Sequence, residues 1–270
     1  MKKIITTLVL TLTLISLYGC HKNDYEVIKI VATSVPHEEV LIEAIPLLNE
    51  RGYTLDITVI SDYSIGNPAV SNGSADANYF QHLPYLNAFN QSVDSTKQLI
   101  SVLGVHIEPI GLYGSNKSTL DTLSDGDKII ISDNASDYGR IIQFLVNLEL
   151  VTAKEGFNSE NTYHDPEEAI ESKKVNFSFQ IIEAALLVQA QKNKEGAFIF
   201  INGNYALEGN LSVSERLYVE SAEDNPFVNV LAVRKGTEDD LKIKALIEVL
   251  SSETIKAFIT TRYGGAVIPA

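Results

Sequence analysis

Beyond residue 26, short runs of apolar residues alternate with segments in which apolar residues recur every three or four positions. Ile28 to Ala32 and Leu55 to Ile60 are compact, β-branched runs and predict strands. Between them Val40, Leu41, Ala44, Ile45 and Leu48 share one face of a helix, which Pro46 should bend. The cycle repeats with a short helix over 67–72 that has Pro68 in its first turn, a strand near Ala77 to Phe80, a helix opening at Pro84 and a strand over Leu99 to Val105. A second set follows. Ser118 and Asp121 have capping-box spacing, Ile129 to Ile131 reads as a buried strand, and a helix begins near Tyr138. Val175 to Phe179 predicts a strand, Ile181 to Lys192 a helix, and Ala197 to Ile201 and Arg216 to Glu220 two more strands. Phe227 to Val233 then reads as a strand returning to the first set, with helices over 239–250 and 253–262.

This alternation is the pattern of α/β folds with mixed, mainly parallel sheets. Two crossings, near 107–112 and 222–228, divide the chain into lobe I (27–108 plus 227–270) and lobe II (109–226). A cleft between two lobes is where small ligands bind.

The first 19 residues have the composition of an export signal: Lys2 and Lys3, an apolar run from Ile4 to Leu17, then Leu17-Tyr18-Gly19-Cys20. The run is interrupted by four threonines and falls short of the ~20 apolar residues of a membrane span. Cys20 is the single cysteine, so an internal disulfide is excluded. Similarity to bacterial lipoproteins implies cleavage before Cys20 and lipidation of its sulfur, with residues 20–26 as a polar tether. That places the chain on the outer face of a cell membrane. Losing Lys2 and Lys3 moves the net charge from −14 to −16, which disfavours nucleic acid as a partner.

The stretch Asp76-Ala77-Asn78-Tyr79-Phe80-Gln81-His82-Leu83-Pro84-Tyr85-Leu86 resembles the signature of the methionine-binding lipoproteins of ABC importers, the NlpA or MetQ family. Ser61-Asp62-Tyr63, Gly139-Arg140, Ile201-Asn202-Gly203-Asn204-Tyr205-Ala206, Phe227-Val228-Asn229-Val230 and Gly264-Gly265-Ala266-Val267-Ile268-Pro269 extend the resemblance in order along the chain. It implies a type II periplasmic-binding-protein-like fold, a monomer, and a methionine-like ligand passed to an ABC permease and its ATPase. No enzyme activity, cofactor or metal is implied.

The resemblance also implies a site. Arg140, at a helix start, would clamp the ligand carboxylate with its planar fork. Asn202 and Asn229, polar residues in apolar strands, would accept from the ammonium, and Tyr63, Phe80, His82 and Tyr85 would wall the side chain. Phe80 and His82 share strand parity and so face one way. Taken alone, Arg140 reads as a solvated helix residue and the aromatics as core; Asn204 reads as a helix cap.

Two stretches depart from the family pattern: Ser132-Asp133-Asn134-Ala135-Ser136-Asp137-Tyr138 before the clamp, where Tyr138 could project into or beside the cleft, and Glu183 to Gln189. They leave a methionine-containing dipeptide or another apolar amino acid open. The rival readings are a metal-delivery lipoprotein using His37, His82 and His106, an exported hydrolase, and a surface antigen without a ligand. The histidines lack close metal-ligand spacing, and the chain has neither a G-x-S-x-G nor an H-E-x-x-H motif. His37 reads as part of a helix first turn.

Overall fold

The computed structural model describes residues 24–270. The export signal, Cys20 and all but the end of the tether lie outside the described residues. Strand β1 (Glu26–Ala32) starts within the expected tether.

The first sheet contains β1, β2 (Tyr53–Val59), β3 (Ala77–His82), β4 (Leu99–Ile107), β12 (Val228–Arg234) and β13 (Ile268–Pro269). Its order is β13-β4-β12-β3-β1-β2. Alternation puts Ile28, Ile30, Ala32 and Tyr79 on one face and Val31, Phe80, Val230 and Ala232 on the other, and each face has its own apolar core. The first is covered by α1 (Glu39–Asn49), α7 (Leu241–Leu250) and α8 (Glu253–Tyr263), and the second by α2 (Gly66–Ser71) and α3 (Leu83–Ser92). Pro46 lies within α1, whose buried stripe is Val40, Leu41, Ala44 and Leu48.

The second sheet, ordered β11-β5-β10-β6-β9, contains β5 (Gly111–Gly114), β6 (Lys128–Ser132), β9 (Ser178–Ile182), β10 (Phe198–Ile201) and β11 (Arg216–Val219). Ile129, Ile131, Phe198 and Phe200 pack under α4 (Tyr138–Asn147). Ile130, Ile199 and Ile201 pack under α5 (Leu187–Lys192) and α6 (Gly203–Glu208). Two sheets, each sandwiched between helices, make a two-lobed α/β molecule.

Both sheets are mixed. The parallel pairs are β1–β2, β1–β3, β6–β10 and β6–β9, and the other neighbours run antiparallel. The parallel share is lower than alternation alone suggests because β12 returns from the far lobe and inserts antiparallel between β3 and β4.

Local differences from the sequence pattern fall in the second lobe. The strand expected over 175–179 forms three residues later, where register with β6 pairs Lys128 with Ser178 and Ser132 with Ile182. That pairing consumes the start of the helix expected from Ile181, so only Leu187–Lys192 is α-helical. A small antiparallel pair, β7 (Val151–Ala153) and β8 (Ile170–Lys173), was not visible in the pattern. The turn after Ser118 starts from Thr119 without a side-chain cap, whereas a capping box forms at Ser212 and Glu215.

Candidate functional site

A cavity between the two sheets is lined by Tyr63, Phe80, Gln81, His82, Tyr85, Glu108, Asn134, Arg140, Asn202, Gly203, Asn204 and Asn229. It encloses about 380 Å³ including its opening to solvent. The structure thus brings together all seven residues that the resemblance nominates.

The first lobe supplies an apolar wall. Tyr63, on a short turn after β2, packs its ring 6.0 Å from Phe80, 6.1 Å from Tyr85 and 5.3 Å from Tyr205. Phe80 and Tyr79 point to opposite faces of β3, as strand parity requires. Gly66 lets α2 approach this wall: a Cβ there would lie 2.3 Å from the Phe80 ring. His82 ends β3 and caps α3, its Nδ1 accepting from the Tyr85 N–H at 3.1 Å. The proton is therefore on Nε2, which donates to Asp137 Oδ1 at 3.1 Å.

The second lobe supplies a polar rim centred on Asp137. This carboxylate is fully buried and also accepts from Asn134 and Asn202, both at 2.8 Å, and from Arg140. Burial alone would raise its pKa, but His82, Arg140 and Asn202 outweigh burial and hold it down at about 2.

Arg140 is buried at the start of α4, as expected, but its fork is already engaged. Nε donates to Glu220 at 2.9 Å, Nη2 donates to Glu220 and to the Glu108 carbonyl, and Phe227 lies 4.6 Å beneath the guanidinium carbon. A bidentate clamp on a ligand carboxylate is therefore not available from this face. Nη1, which bonds Asp137 at 3.5 Å, is the nitrogen with an N–H to spare.

Two buried amide atoms in the cavity lack partners among the described residues: the acceptor Asn202 Oδ1 and the donor Asn204 Nδ2. Asn202 is the N-cap of α6 without making a side-chain cap bond. Asn204, which reads as a cap, instead sits inside the helix, buried, with Oδ1 accepting from the Tyr63 hydroxyl at 2.6 Å. The expected cap is thus a cavity residue. Asn229 Oδ1 is 3.1 Å from His37 Nε2, so part of its capacity is spent within the protein.

Hydrogen bonds that bridge the lobes across the cleft include Tyr63 to Asn204, His82 to Asp137, and the Tyr205 hydroxyl to the Ser61 carbonyl at 2.8 Å.

Tyr138 does not project into the cleft. It is buried in the core under α4. The other departures from the family pattern do reach the opening: Asp133, Asn134, Ala135, Ser136, Glu183, Ala184 and Ala185 line an outer groove with Asp62, Tyr63 and Tyr85. That groove carries the carboxylates of Asp62, Asp133 and Glu183 and no lysine or arginine.

Sequence spacing did not reveal that His37 and His106 converge with Glu108. Their ligand-type atoms lie within 4.8 Å of one another, all buried, which makes them the group among the described residues able to hold a metal ion. His106 Nε2 hydrogen-bonds Glu108 Oε1 at 2.8 Å, and His37 Nε2 lies 3.3 Å from the same oxygen. Glu108 is a lone acid at the end of an apolar strand and Asp137 one of two acids, with Asp133, in a polar loop, so neither stands out in its segment. The available signal was an acid two residues after a histidine at the end of an apolar strand.

A cleft between two α/β lobes, with an apolar wall on one side and unpaired amides on the other, defines a small-molecule binding protein. A model of the NlpA lipoprotein family matches residues 28–270, and the chain belongs to that family. It is 41% identical over 253 residues to the methionine-binding lipoprotein MetQ of Bacillus subtilis, covering 93% of this chain and 90% of that protein. The structure of an ABC transporter periplasmic substrate-binding protein from Coxiella burnetii is similar, with a TM-score of 0.80 and 30% identity over 90% of this chain and 100% of the other. So is that of a nutrient-binding protein from Burkholderia cenocepacia bound to methionine, with a TM-score of 0.82 and 27% identity over 90% and 99%. These relatives are named as binding proteins. Among the described residues no helix is long and apolar enough to cross a membrane.

Proposed function

We propose that this chain captures methionine in the inter-lobe cavity and passes it to the permease of an ABC importer, held at the outer face of the cell membrane through a lipid on Cys20. The names of its relatives support methionine and the importer. The observation that carries the site is the pair of unpaired, buried amide atoms, Asn202 Oδ1 and Asn204 Nδ2, facing one cavity beside Arg140. A zwitterion supplies the missing partners: its carboxylate accepts from Asn204 Nδ2 and Arg140 Nη1, and Asn202 Oδ1, with Asn229 beside it, accepts from its ammonium. The thioether then lies against Tyr63, Phe80, His82 and Tyr85, where each sulfur–aromatic contact contributes about 0.3 to 1.5 kcal/mol.

Residues 27–108 plus 227–270 act as one lobe and 109–226 as the other, with a monomer as the working unit and no catalytic step. The test is calorimetry with L- and D-methionine, methionine-containing dipeptides, leucine and glutamate, together with mass spectrometry of anything released when the purified protein is denatured. Methionine should bind most tightly. Glutamate should be rejected at the acidic groove, since like charges there oppose its entry. Preference for a dipeptide would move the cargo assignment outward into the groove; absence of binding by every compound would reject the function.

A further inference from the structure

Beneath the amides, Glu108 is a buried carboxylate with 6% of its surface exposed, and it lines the same cavity. Its surroundings show how it is held. His37 Nε2 faces two acceptors, Glu108 Oε1 and Asn229 Oδ1, so it carries the proton, and Nδ1 accepts from the Thr33 hydroxyl at 2.7 Å. His106 Nε2 likewise faces Glu108 Oε1, while its Nδ1 takes the Tyr79 hydroxyl. His106 therefore donates to the carboxylate, His37 donates to Asn229 with its Nε2 3.3 Å from the same Glu108 oxygen, and the Asn204 backbone N–H also bonds this carboxylate. Gly203 permits the approach: a Cβ there would lie 2.9 Å from Glu108 Oε2.

None of these donors neutralises the charge. Burial keeps the two histidines neutral, pushing His37 down to about 4 and His106 to about 3. The nearest cation, Arg140, is bound to Glu220 and Asp137. The hydroxyls of Tyr63, Tyr79 and Tyr263 also feel the Glu108 charge. One guanidinium thus serves three carboxylates, and a buried charge lacking a counter-ion is costly. The unpaired Asn202 Oδ1 opens onto the same space.

We propose that Glu108 is the counter-ion for the ligand's α-ammonium, with His37 and His106 as positioning residues, so that the site selects molecules with a free, charged α-amino group. The assignment rests on the function proposed above for its ligand class, but not on methionine as the cargo.

The experiment compares pairs of ligands differing at that one group: methionine, its 2-hydroxy analogue and N-acetylmethionine, by calorimetry on the wild-type protein and on Glu108→Gln, with each variant's thermal unfolding recorded. Wild type should prefer methionine over both analogues by about 30-fold or more. Glu108→Gln should lose methionine affinity by a similar factor while its affinity for the 2-hydroxy analogue changes by less than about threefold.

If Glu108→Gln does not fold, the same discrimination followed by pH in wild type gives the answer. Burial raises the Glu108 pKa against the pull of His37 and Arg140, so acid should protonate it and reduce the preference for methionine, leaving the analogue unchanged. Equal loss of both ligands, or a preference independent of pH and of the substitution, would overturn the assignment. Stoichiometric Zn²⁺ binding that disappears in His106→Asn would also overturn it, giving the carboxylate to a metal. If another amino acid binds in place of methionine, its own hydroxy analogue enters the same comparison, and only the cargo falls. If no α-amino acid binds, both readings fall.

Discussion

The two walls of the cavity are built by different physics. On the first-lobe side, Phe80, Tyr63 and Tyr85 hold one another by packing, over a core that includes Val31, Val70 and Leu86. The second-lobe side is organised around one anion, Asp137, which accepts hydrogen bonds from Arg140, Asn202 and Asn134 and from His82 across the cleft. A packed wall keeps its shape whatever the protonation state of its surroundings. A wall organised around a carboxylate keeps it only while that carboxylate is ionised.

The largest break in this contrast should come from Asp137→Ala. It leaves four polar partners without their shared acceptor, and removal of one member of a buried ionic cluster costs about 3 to 5 kcal/mol. Urea unfolding at neutral pH should show that loss together with loss of ligand binding; a change below about 1 kcal/mol would mean the polar wall is held elsewhere. Phe80→Ala should cost a similar 3 to 5 kcal/mol or so by opening a cavity in the packed wall.

What separates the two variants is acid. The folded-state pKa of Asp137, about 2, lies below its ordinary 3.8, so its contribution is present above pH 3.8 and is lost as pH falls through about 2. That difference corresponds to about 2 to 3 kcal/mol. The gap between wild type and Asp137→Ala should therefore narrow by roughly that amount between pH 5 and pH 2, whereas the Phe80→Ala gap should stay constant. Parallel pH profiles for both variants would erase the distinction.

The smallest expected effect belongs to a residue of both walls. Tyr63→Phe keeps the ring and removes the hydroxyl donated to Asn204, a loss of about 1 kcal/mol in stability and a several-fold weakening of binding. An unchanged dissociation constant would separate the aromatic wall from the amide rim.

The packed wall was also the part legible in the sequence. Phe80 and His82 announce their common direction through strand parity, and Pro84 marks the helix that follows, because these signals are local. The same holds for most strands and helices and for the return of β12. The polar wall was legible only in part. Arg140, Asn202 and Asn229 could be nominated through family resemblance, but Glu220, which occupies the Arg140 fork, is 80 residues away, directly after β11. Glu108, His37 and His106 meet only because β4 and the turn before α1 come together in the folded lobe. Non-local pairings of this kind leave no periodicity to read. Asn204 reads as a cap for a related reason: a cap is the commonest use of asparagine near a helix start, and only the position of Tyr63 shows the other use.

Bridges across the cleft such as Tyr63 to Asn204, His82 to Asp137 and Tyr205 to Ser61 carry a kinetic consequence. None of them requires an atom of the cargo. Once the lobes have met, the dwell time of whatever lies between them is set by the rupture of these bridges as well as by its own contacts. Cargoes of quite different affinity would then share a common latch, and a transporter that pries the lobes apart could empty the site without having to recognise what it holds.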